Sequence, residues 1–248
     1  MLRRLLVTIV SAMLVSSISF AEPVVVRVKL EPFPPLVNSD GSGLAPQLLK
    51  HLETLSELRF DIEVMSYSRA KFLLQNGEAD LIGPVPVGME SKEFYFDAIE
   101  LDWQVDTAAD LYVMDRAMLD QKELHDFDIG TPLGNARFFA ELTGVPARNF
   151  VETTLESLVQ MLVTGRIDVL LFERASTLSM LRQMNIEEVF YQNMVTIPAG
   201  FAVRANEDGL RLKTLLDELL RDADISALLA EYELYMSMPA EGPVSLMP

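Results

Sequence analysis

The chain has 248 residues, and 37 acidic side chains against 20 basic ones give it a formal net charge of −17. A charge this negative repels phosphate backbones and argues against nucleic-acid binding. The absence of cysteine excludes disulfides, thiolate metal sites and cysteine nucleophiles. The two histidines, His51 and His125, leave little for a histidine-rich metal site. We therefore expect no metal and no cofactor. The length of the chain allows one large domain or two small lobes.

The first 21 residues have the layout of a secretory signal peptide. Arg3–Arg4 supply a basic start, Leu5–Val15 is almost wholly apolar, and Ser19–Ala21 has a small residue at each end. The alternative is a membrane anchor, but the apolar run is shorter than the roughly 20 residues that a bilayer span needs. We predict cleavage after Ala21 and export of the remaining chain.

The mature chain opens with a pattern typical of a βαβ unit. Pro23–Leu30 is rich in β-branched residues and predicts a buried strand. Leucines then recur at helical spacing over Leu44–Leu58, and apolar residues alternate with charged ones over Phe60–Val64. This order predicts a parallel sheet with helices on its faces.

A short sequence pattern occurs twice in the chain, and we call these two copies the internal echo. Leu73–Ile82 and Met161–Leu170 each contain the end of an apolar helix, a glycine, two further residues, an aspartate and an apolar strand. Glycine suits the left-handed position just past a helix, and the aspartate can bond amides of the turn. Two copies, nearly a lobe's length apart, favour two similar α/β lobes.

The second half of the chain repeats these patterns. It contains three further strand candidates: Leu111–Val113, Phe127–Ile129 and Gly200–Arg204. It also contains four predicted helices: one from Gly134 through Leu142, then Leu155–Val163, Leu212–Leu220 and Ile225–Tyr235. Three prolines in Met236–Pro248 predict a loose tail.

The order of these segments resembles the family-3 extracellular solute-binding proteins, which serve ABC importers of polar amino acids and related compounds. The resemblance covers nearly all of residues 24–235. The resemblance rests on six motifs, which follow one another at the family's spacing. They are Phe33–Leu36, Leu74–Ile82, Phe96–Asp97, Gly130–Asn135, Gly165–Asp168 with Glu173, and Gly200–Arg204.

The resemblance implies a two-lobed α/β fold, in which each lobe is a mainly parallel sheet flanked by helices. Lobe one would comprise residues 22–101 and 200–235, and lobe two residues 108–195. Hinge crossings at 102–107 and 195–200 would join them. A periplasmic monomer of this kind would capture a small polar solute between the lobes and serve an ABC permease or a membrane receptor, closing by hinge motion.

The resemblance also places ligand-binding residues in the cleft. Phe33 and Tyr67 would sandwich the ligand, although either side chain could instead cap the core. Glu173 would accept the ligand's ammonium group, or else be a solvated acid. Gly134, Asn135 and Ala136 would present backbone amides at a helix start, where Asn135 could equally be an N-cap.

The sequence departs from the family where its amino-acid binders carry a carboxylate-gripping arginine. Depending on the direction of counting, Glu90 or Lys92 stands at that position, and neither offers the arginine fork. Pro84 and Val85 lie in a stretch where the family has Ser and Thr, and the proline removes an amide donor. Arg69 could replace the arginine from the other wall or point to water. A cation or a neutral polar molecule would suit such a site better than an α-amino acid.

Two other functions remain open. Cyclohexadienyl dehydratases resemble these binding proteins, and in such an enzyme the acid at Glu173 would protonate a leaving hydroxyl group. The missing arginine counts against this reading, because the substrate's carboxylates would still need a partner. The other alternative is an orphan binding protein with an altered pocket, whose closed lobes serve a protein partner.

Overall fold

A computed structural model describes residues 23–120, 124–223 and 225–244. The predicted signal peptide lies outside these ranges. The strands are β1 Val24–Leu30, β2 Leu58–Val64, β3 Leu81–Pro86, β4 Ala98–Val113, β5 Ile129–Pro132, β6 Phe150–Thr153, β7 Val169–Glu173, β8 Phe190–Arg204 and β9 Glu241–Pro243. The helices are α1 Leu44–Leu55, α2 Tyr67–Gln75, α3 Phe94–Asp97, α4 Ala136–Thr143, α5 Leu155–Val163, α6 Arg174–Gln183, α7 Glu207–Asp222 and α8 Ser226–Met236. Short 3₁₀ turns lie at Arg116–Asp120, Leu124–Asp126 and Ala147–Asn149.

The strand order of the sheet reads almost the same from both ends. It runs β2-β1-β3-β8-β4-β7-β5-β6, and β9 pairs with β8. At one end β1 lies parallel to both β2 and β3, and at the other β5 lies parallel to both β6 and β7. β3 then meets β8 antiparallel, as β7 meets β4. This arrangement confirms the predicted two-lobed α/β fold.

The two long strands β4 and β8 connect the lobes. They pair antiparallel, and the predicted hinge segments face each other in register, with Gln104 opposite Gly200 and Thr107 opposite Ile197. The Thr107 hydroxyl also donates to the carbonyl of Ile197 at 2.7 Å. The sequence patterns had predicted only the ends of these strands, at Leu111–Val113 and Gly200–Arg204.

The internal echo folds identically in its two copies. Gly77 and Gly165 adopt φ of 76° and 65°, and their amides donate to Leu74 and Leu162. The aspartates differ from the expectation in their hydrogen-bond partner. Each accepts from a backbone amide in or beside a neighbouring strand, and not from an amide of its own turn. Asp80 accepts from the Arg27 amide at 3.0 Å, and Asp168 accepts from the Asp128 amide at 2.9 Å. Each aspartate thereby ties its turn to the neighbouring parallel strand.

The predicted helices form where the apolar stripes lie, with small shifts at their ends. α1 ends at Leu55, because Leu58 is buried as the first residue of β2 and pairs with Val24. Thr154 caps α5 by accepting from the Ser157 amide, and Asn206 caps α7 by accepting from the Gly209 amide. Within the described ranges, no helix combines the length and apolarity that a membrane span requires.

The C-terminal segment differs from the prediction of a loose tail. Glu241–Pro243 forms β9 on β8, and the Val244 amide donates to the Val189 carbonyl at 2.7 Å. Arg174 donates to the Met238 carbonyl at 3.2 Å. Backbone pairing and a long-range arginine contact hold this segment against lobe two, and neither leaves a periodic signal in a proline-containing sequence.

Candidate functional site

A cavity lies between the lobes, at the carboxyl ends of β1, β3 and β7 and beside the middle of the long strands. Its volume is about 50 Å³, which is room for a few water molecules. The residues that line it come from both lobes and both crossings: Glu31, Phe33, Tyr67, Pro84, Val85, Pro86, Thr107, Ala109, Asn135, Phe138, Phe139, Phe172, Glu173, Ile197 and Ala199. Strand ends in open α/β sheets are where such folds generally place their ligands.

Direct contacts between the lobes close this cavity. The rings of Phe33 and Phe172 meet edge to face, with centroids 5.4 Å apart. Gly134 lies against the first turn of α2, so closely that a Cβ atom placed on it would stand 2.5 Å from the Ser68 nitrogen. At the rim, Arg137 and Glu93 approach to 3.5 Å. The structure therefore shows the lobes in a closed arrangement.

Glu173 ends β7, and its side chain caps the helix that follows. One carboxylate oxygen accepts from the Ala175 amide at 2.9 Å and the other from the Ser176 amide at 2.7 Å. The Tyr232 hydroxyl, from α8, donates to it at 3.0 Å. The residue is 3 % exposed, and burial raises the pKa of its carboxyl to about 7 against these hydrogen bonds. Glu173 is thus a buried helix cap that also lines the cavity.

Glu31 is a second buried carboxyl group in the cavity, and the sequence analysis did not select it. It follows β1 directly and accepts a hydrogen bond from the Asn135 side chain of lobe two at 2.7 Å. Burial raises the pKa of its carboxyl to about 8, while the Asn135 bond and the charge of Lys71 oppose the shift. The criterion that singled out Glu173, an acid at the end of an apolar strand, applies equally to Glu31.

Glu90, one of the two residues considered for the position of the family's arginine, binds two polar groups of α2. Glu90 accepts from the Tyr67 hydroxyl at 2.6 Å and from Lys71 at 3.2 Å. The Lys71 ammonium also lies 4.1 Å from the centroid of the Tyr67 ring. The predicted aromatic wall Tyr67 does line the cavity, but its hydroxyl and the nearby lysine are both bound to Glu90.

The amides at the start of α4 are also occupied by an acid. Glu152, on β6, accepts from the Gly134 amide at 2.6 Å and from the Ala136 amide at 3.1 Å. Neither Gly134 nor Ala136 lines the cavity, whereas Asn135 does. The sequence analysis had expected these amides to face the ligand, where they would suit an anion or a carbonyl oxygen, and a carboxylate of the chain itself binds the amides of Gly134 and Ala136.

The remaining predicted residues divide between the cavity and the surface. Phe33, Pro84 and Val85 line the cavity with Tyr67. Arg69 and Lys92 do not line it, and both are exposed to solvent. The structure therefore does not bring to the cavity either basic side chain that was considered as a replacement for the arginine.

Three further aromatic residues complete the walls, and the sequence analysis missed them. Phe138 and Phe139 lie on α4, and Phe172 precedes Glu173 on β7. Buried phenylalanines on a strand and a helix look like ordinary core residues in sequence, so no local signal distinguishes them. The outcome is a small apolar cavity with two carboxyl groups.

The charged residues among those that line the cavity are Glu31 and Glu173. The described ranges contain no group of three or more histidine, aspartate or glutamate side chains placed to hold a metal ion. Two carboxyl groups in apolar surroundings can bind a cation, or exchange protons near neutral pH.

The fold is that of known solute-binding proteins. An ABC uptake transporter substrate-binding protein from Streptococcus pneumoniae with bound histidine superposes with a TM-score of 0.67, at 15% identity, covering 87% of this chain and 94% of that one. An ancestral arginine-binding protein gives 0.65 at 20% identity, covering 86% and 99%. A histidine kinase sensor domain gives 0.65 at 14% identity, covering 86% and 93%.

The sequence matches no protein-family profile, and none of the curated proteins matches it. At identities this low, the structural likenesses establish the fold alone.

Proposed function

We propose that this protein is an exported, family-3-type solute-binding protein that captures a small polar solute between its lobes. The observation that carries the proposal is the cavity itself, which both lobes and both crossings build together. A ligand there touches lobe one through Phe33 and Tyr67 and lobe two through Phe172 and Glu173. It gains all these contacts only when the lobes are closed.

Closure supplies the mechanism. A ligand that contacts both lobes binds the closed form more tightly than the open form, so it shifts the population toward closure. Both lobes line the cavity of about 50 Å³, so a ligand enters and leaves it most readily when the lobes separate about β4 and β8. The closed form then presents a surface that a permease or a receptor can recognise.

The client of this protein is an importer or a sensor. Among the similar structures, one is a substrate-binding protein of an ABC uptake transporter and another is a sensor domain of a histidine kinase. The predicted signal peptide favours a periplasmic location. The client in this proposal is a separate membrane protein, either a permease or a receptor.

A dehydratase is the alternative, and one observation favours it. Glu173 has a carboxyl pKa raised to about 7 by burial, as a general acid at neutral pH requires. A substrate with carboxylates would, however, need cations, and the charged residues that line the cavity are both acids. The geometry supports solute binding better. Prephenate turnover that disappears in Glu173→Gln would instead establish the enzyme.

A thermal-shift screen tests the proposed function. Purified protein is heated with amino acids, amines, polyamines, opines and small sugars, and calorimetry is applied to every hit. A ligand at 100 times its dissociation constant adds about 2.7 kcal/mol to the free energy of unfolding, which raises the melting temperature by several degrees. If no compound class stabilises the protein, solute binding is refuted and an orphan that serves a protein partner is the better account.

Substitution of Gly134 should prevent closure. Its φ is +98°, and the Cβ of alanine would meet the Ser68 nitrogen at 2.5 Å across the cleft. We expect Gly134→Ala to weaken the affinity for any ligand from the screen by at least about tenfold, since the lobes would lose joint contact with it. Calorimetry measures the affinity, and small-angle scattering should show a larger radius of gyration.

Gly144→Ala is the matched control for this substitution. Gly144 lies at the other end of α4 with φ of +74°, and a Cβ there meets nothing within 4 Å. It tests the backbone strain of alanine at positive φ without a contact across the cleft. Equal affinity losses in the two variants would show that strain, and not blocked closure, causes the effect.

A further inference from the structure

We infer that the ligand is an organic ammonium ion with a short apolar body and no carboxylate group, held between Glu31 of lobe one and Glu173 of lobe two. This inference rests on the proposed function and specifies its ligand. It excludes ordinary α-amino acids, which the similar arginine- and histidine-bound structures carry. Four features of the cavity support it.

The first feature is the sign of the charged groups. Glu31 is 4 % exposed and Glu173 is 3 % exposed, and both line the cavity. Each lobe therefore contributes one buried carboxyl group. The residues that line the cavity include no basic side chain, so a carboxylate on the ligand would be buried without a cation to pair with it, which is strongly unfavourable. An ammonium group instead makes charge-assisted hydrogen bonds with either acid.

The second feature is that the chain itself occupies the groups that would hold a ligand carboxylate. Glu90, a candidate for the arginine position, binds both Tyr67 and Lys71. Glu152 takes the amides of Gly134 and Ala136. A ligand carboxylate would have to displace one of these internal acids, whereas an amine needs neither position.

The third feature is the aromatic wall. Phe33, Tyr67, Phe138, Phe139 and Phe172 surround the carboxyl groups. Aromatic faces attract ammonium ions and also receive apolar carbon atoms, so they fit both ends of an alkylamine. The small cavity limits the body of the ligand to a few carbon atoms as the lobes stand.

The fourth feature is the formal net charge of −17, which attracts cations from solution.

Ligand binding should release protons, because a cation favours the ionised form of each acid. The groups that face Glu31 are Lys71 and Tyr67 from α2 and Asn135 from α4. Those that face Glu173 are Tyr232 and Tyr235 from α8, Tyr112 from β4 and the amides of α6. Burial raises the pKa of the two carboxyls to about 8 and about 7. Affinity for an amine should therefore rise with pH up to about pH 8, by up to tenfold per unit for each acid.

Matched compounds test the inference. Isobutylamine is valine without its carboxylate group, and putrescine is ornithine without its carboxylate group. Isobutanol is the neutral counterpart of isobutylamine. Calorimetry at pH 8 should show at least one amine binding at least tenfold more tightly than its amino acid, with proton release detected as a buffer-dependent heat. Glu31→Gln and Glu173→Gln should each weaken that amine about tenfold, and the exposed Glu57→Gln should not.

The outcomes separate this inference from the proposed function. Amino acids that bind as tightly as their amines, or binding by neutral compounds alone, would overturn the ammonium assignment and leave solute binding supported. The same holds if an amine binds with an affinity that is unchanged in both glutamine variants. Absence of binding by every compound of this set would overturn the ammonium assignment, and solute binding itself would be overturned only if the wider thermal-shift screen also finds no ligand.

Discussion

The free energy of unfolding should fall as the pH rises from 5 to 8. Burial raises the pKa of the Glu31 carboxyl from 4.5 to about 8 and that of Glu173 to about 7. Between the unfolded and folded pKa values, the folded chain retains protons that the unfolded chain has released. The stability from each group is therefore fully present below about pH 4.5 and is lost as the pH rises through its folded pKa.

The expected loss is large for Glu31. One unit of pKa shift corresponds to about 1.4 kcal/mol, so this residue alone accounts for a loss on the order of 3–4 kcal/mol between pH 5 and 8. Asp80 has the opposite sign, because Arg27 lowers the pKa of its carboxyl against the effect of burial. Its contribution is lost only at acidic pH, below the window in question.

Urea denaturation at pH 5, 6, 7 and 8 measures this dependence, and Glu31→Gln isolates the residue. Glutamine keeps an acceptor for Asn135 but does not titrate, so the pH dependence should become clearly shallower. Glu57→Gln replaces an exposed acid and should leave it unchanged. A wild-type stability that stays level or increases from pH 5 to 8 would contradict the burial of neutral carboxyl groups in this cavity.

Local rules in the sequence predicted much of the fold. The leucine stripe of α1, the apolar spacing of α5 and the glycines at 77 and 165 each act within one turn or one helix, so a single sequence shows them. The paired copies of the echo also indicated two lobes, as the symmetric strand order confirms. The family resemblance then placed Phe33, Tyr67 and Glu173 at the cleft.

The missed features depend on contacts between distant residues. Glu152 reaches the amides of α4 only because β6 pairs with β5. β9 exists because β8 extends as far as Phe190 and leaves an edge for it. The hydrogen-bond partner of the buried Glu31 carboxyl is Asn135, which lies in the other lobe. In each case the residue has an ordinary local environment in sequence, and the pairing that changes it spans many residues.

Substitution of Arg174 should cause a large loss of stability. Its guanidinium makes a two-pronged contact with Asp110, at 2.6 and 3.0 Å, and the two side chains are 3 % and 0 % exposed. Arg174→Met removes the cation and leaves the Asp110 carboxylate buried beside Asn193, which costs about 3–5 kcal/mol. Urea denaturation at pH 7 measures the loss. The variant should also expose residues 237–244 to hydrogen exchange, because Arg174 donates to the Met238 carbonyl.

Two control variants show whether the loss of stability in Arg174→Met comes from the buried ion pair. Arg211→Met breaks an ion pair with Asp208 whose side chains are 69% and 79% exposed, and should cost less than about 1 kcal/mol. Asp110→Asn combined with Arg174→Met removes both charges and should recover part of the stability that the single substitution loses. If Arg174→Met costs no more than Arg211→Met, this buried pair does not anchor the C-terminal segment to lobe two. In that case the pairing of β9 with β8 and the hydrogen bonds to Pro239, Ala240 and Val189 hold the segment in place.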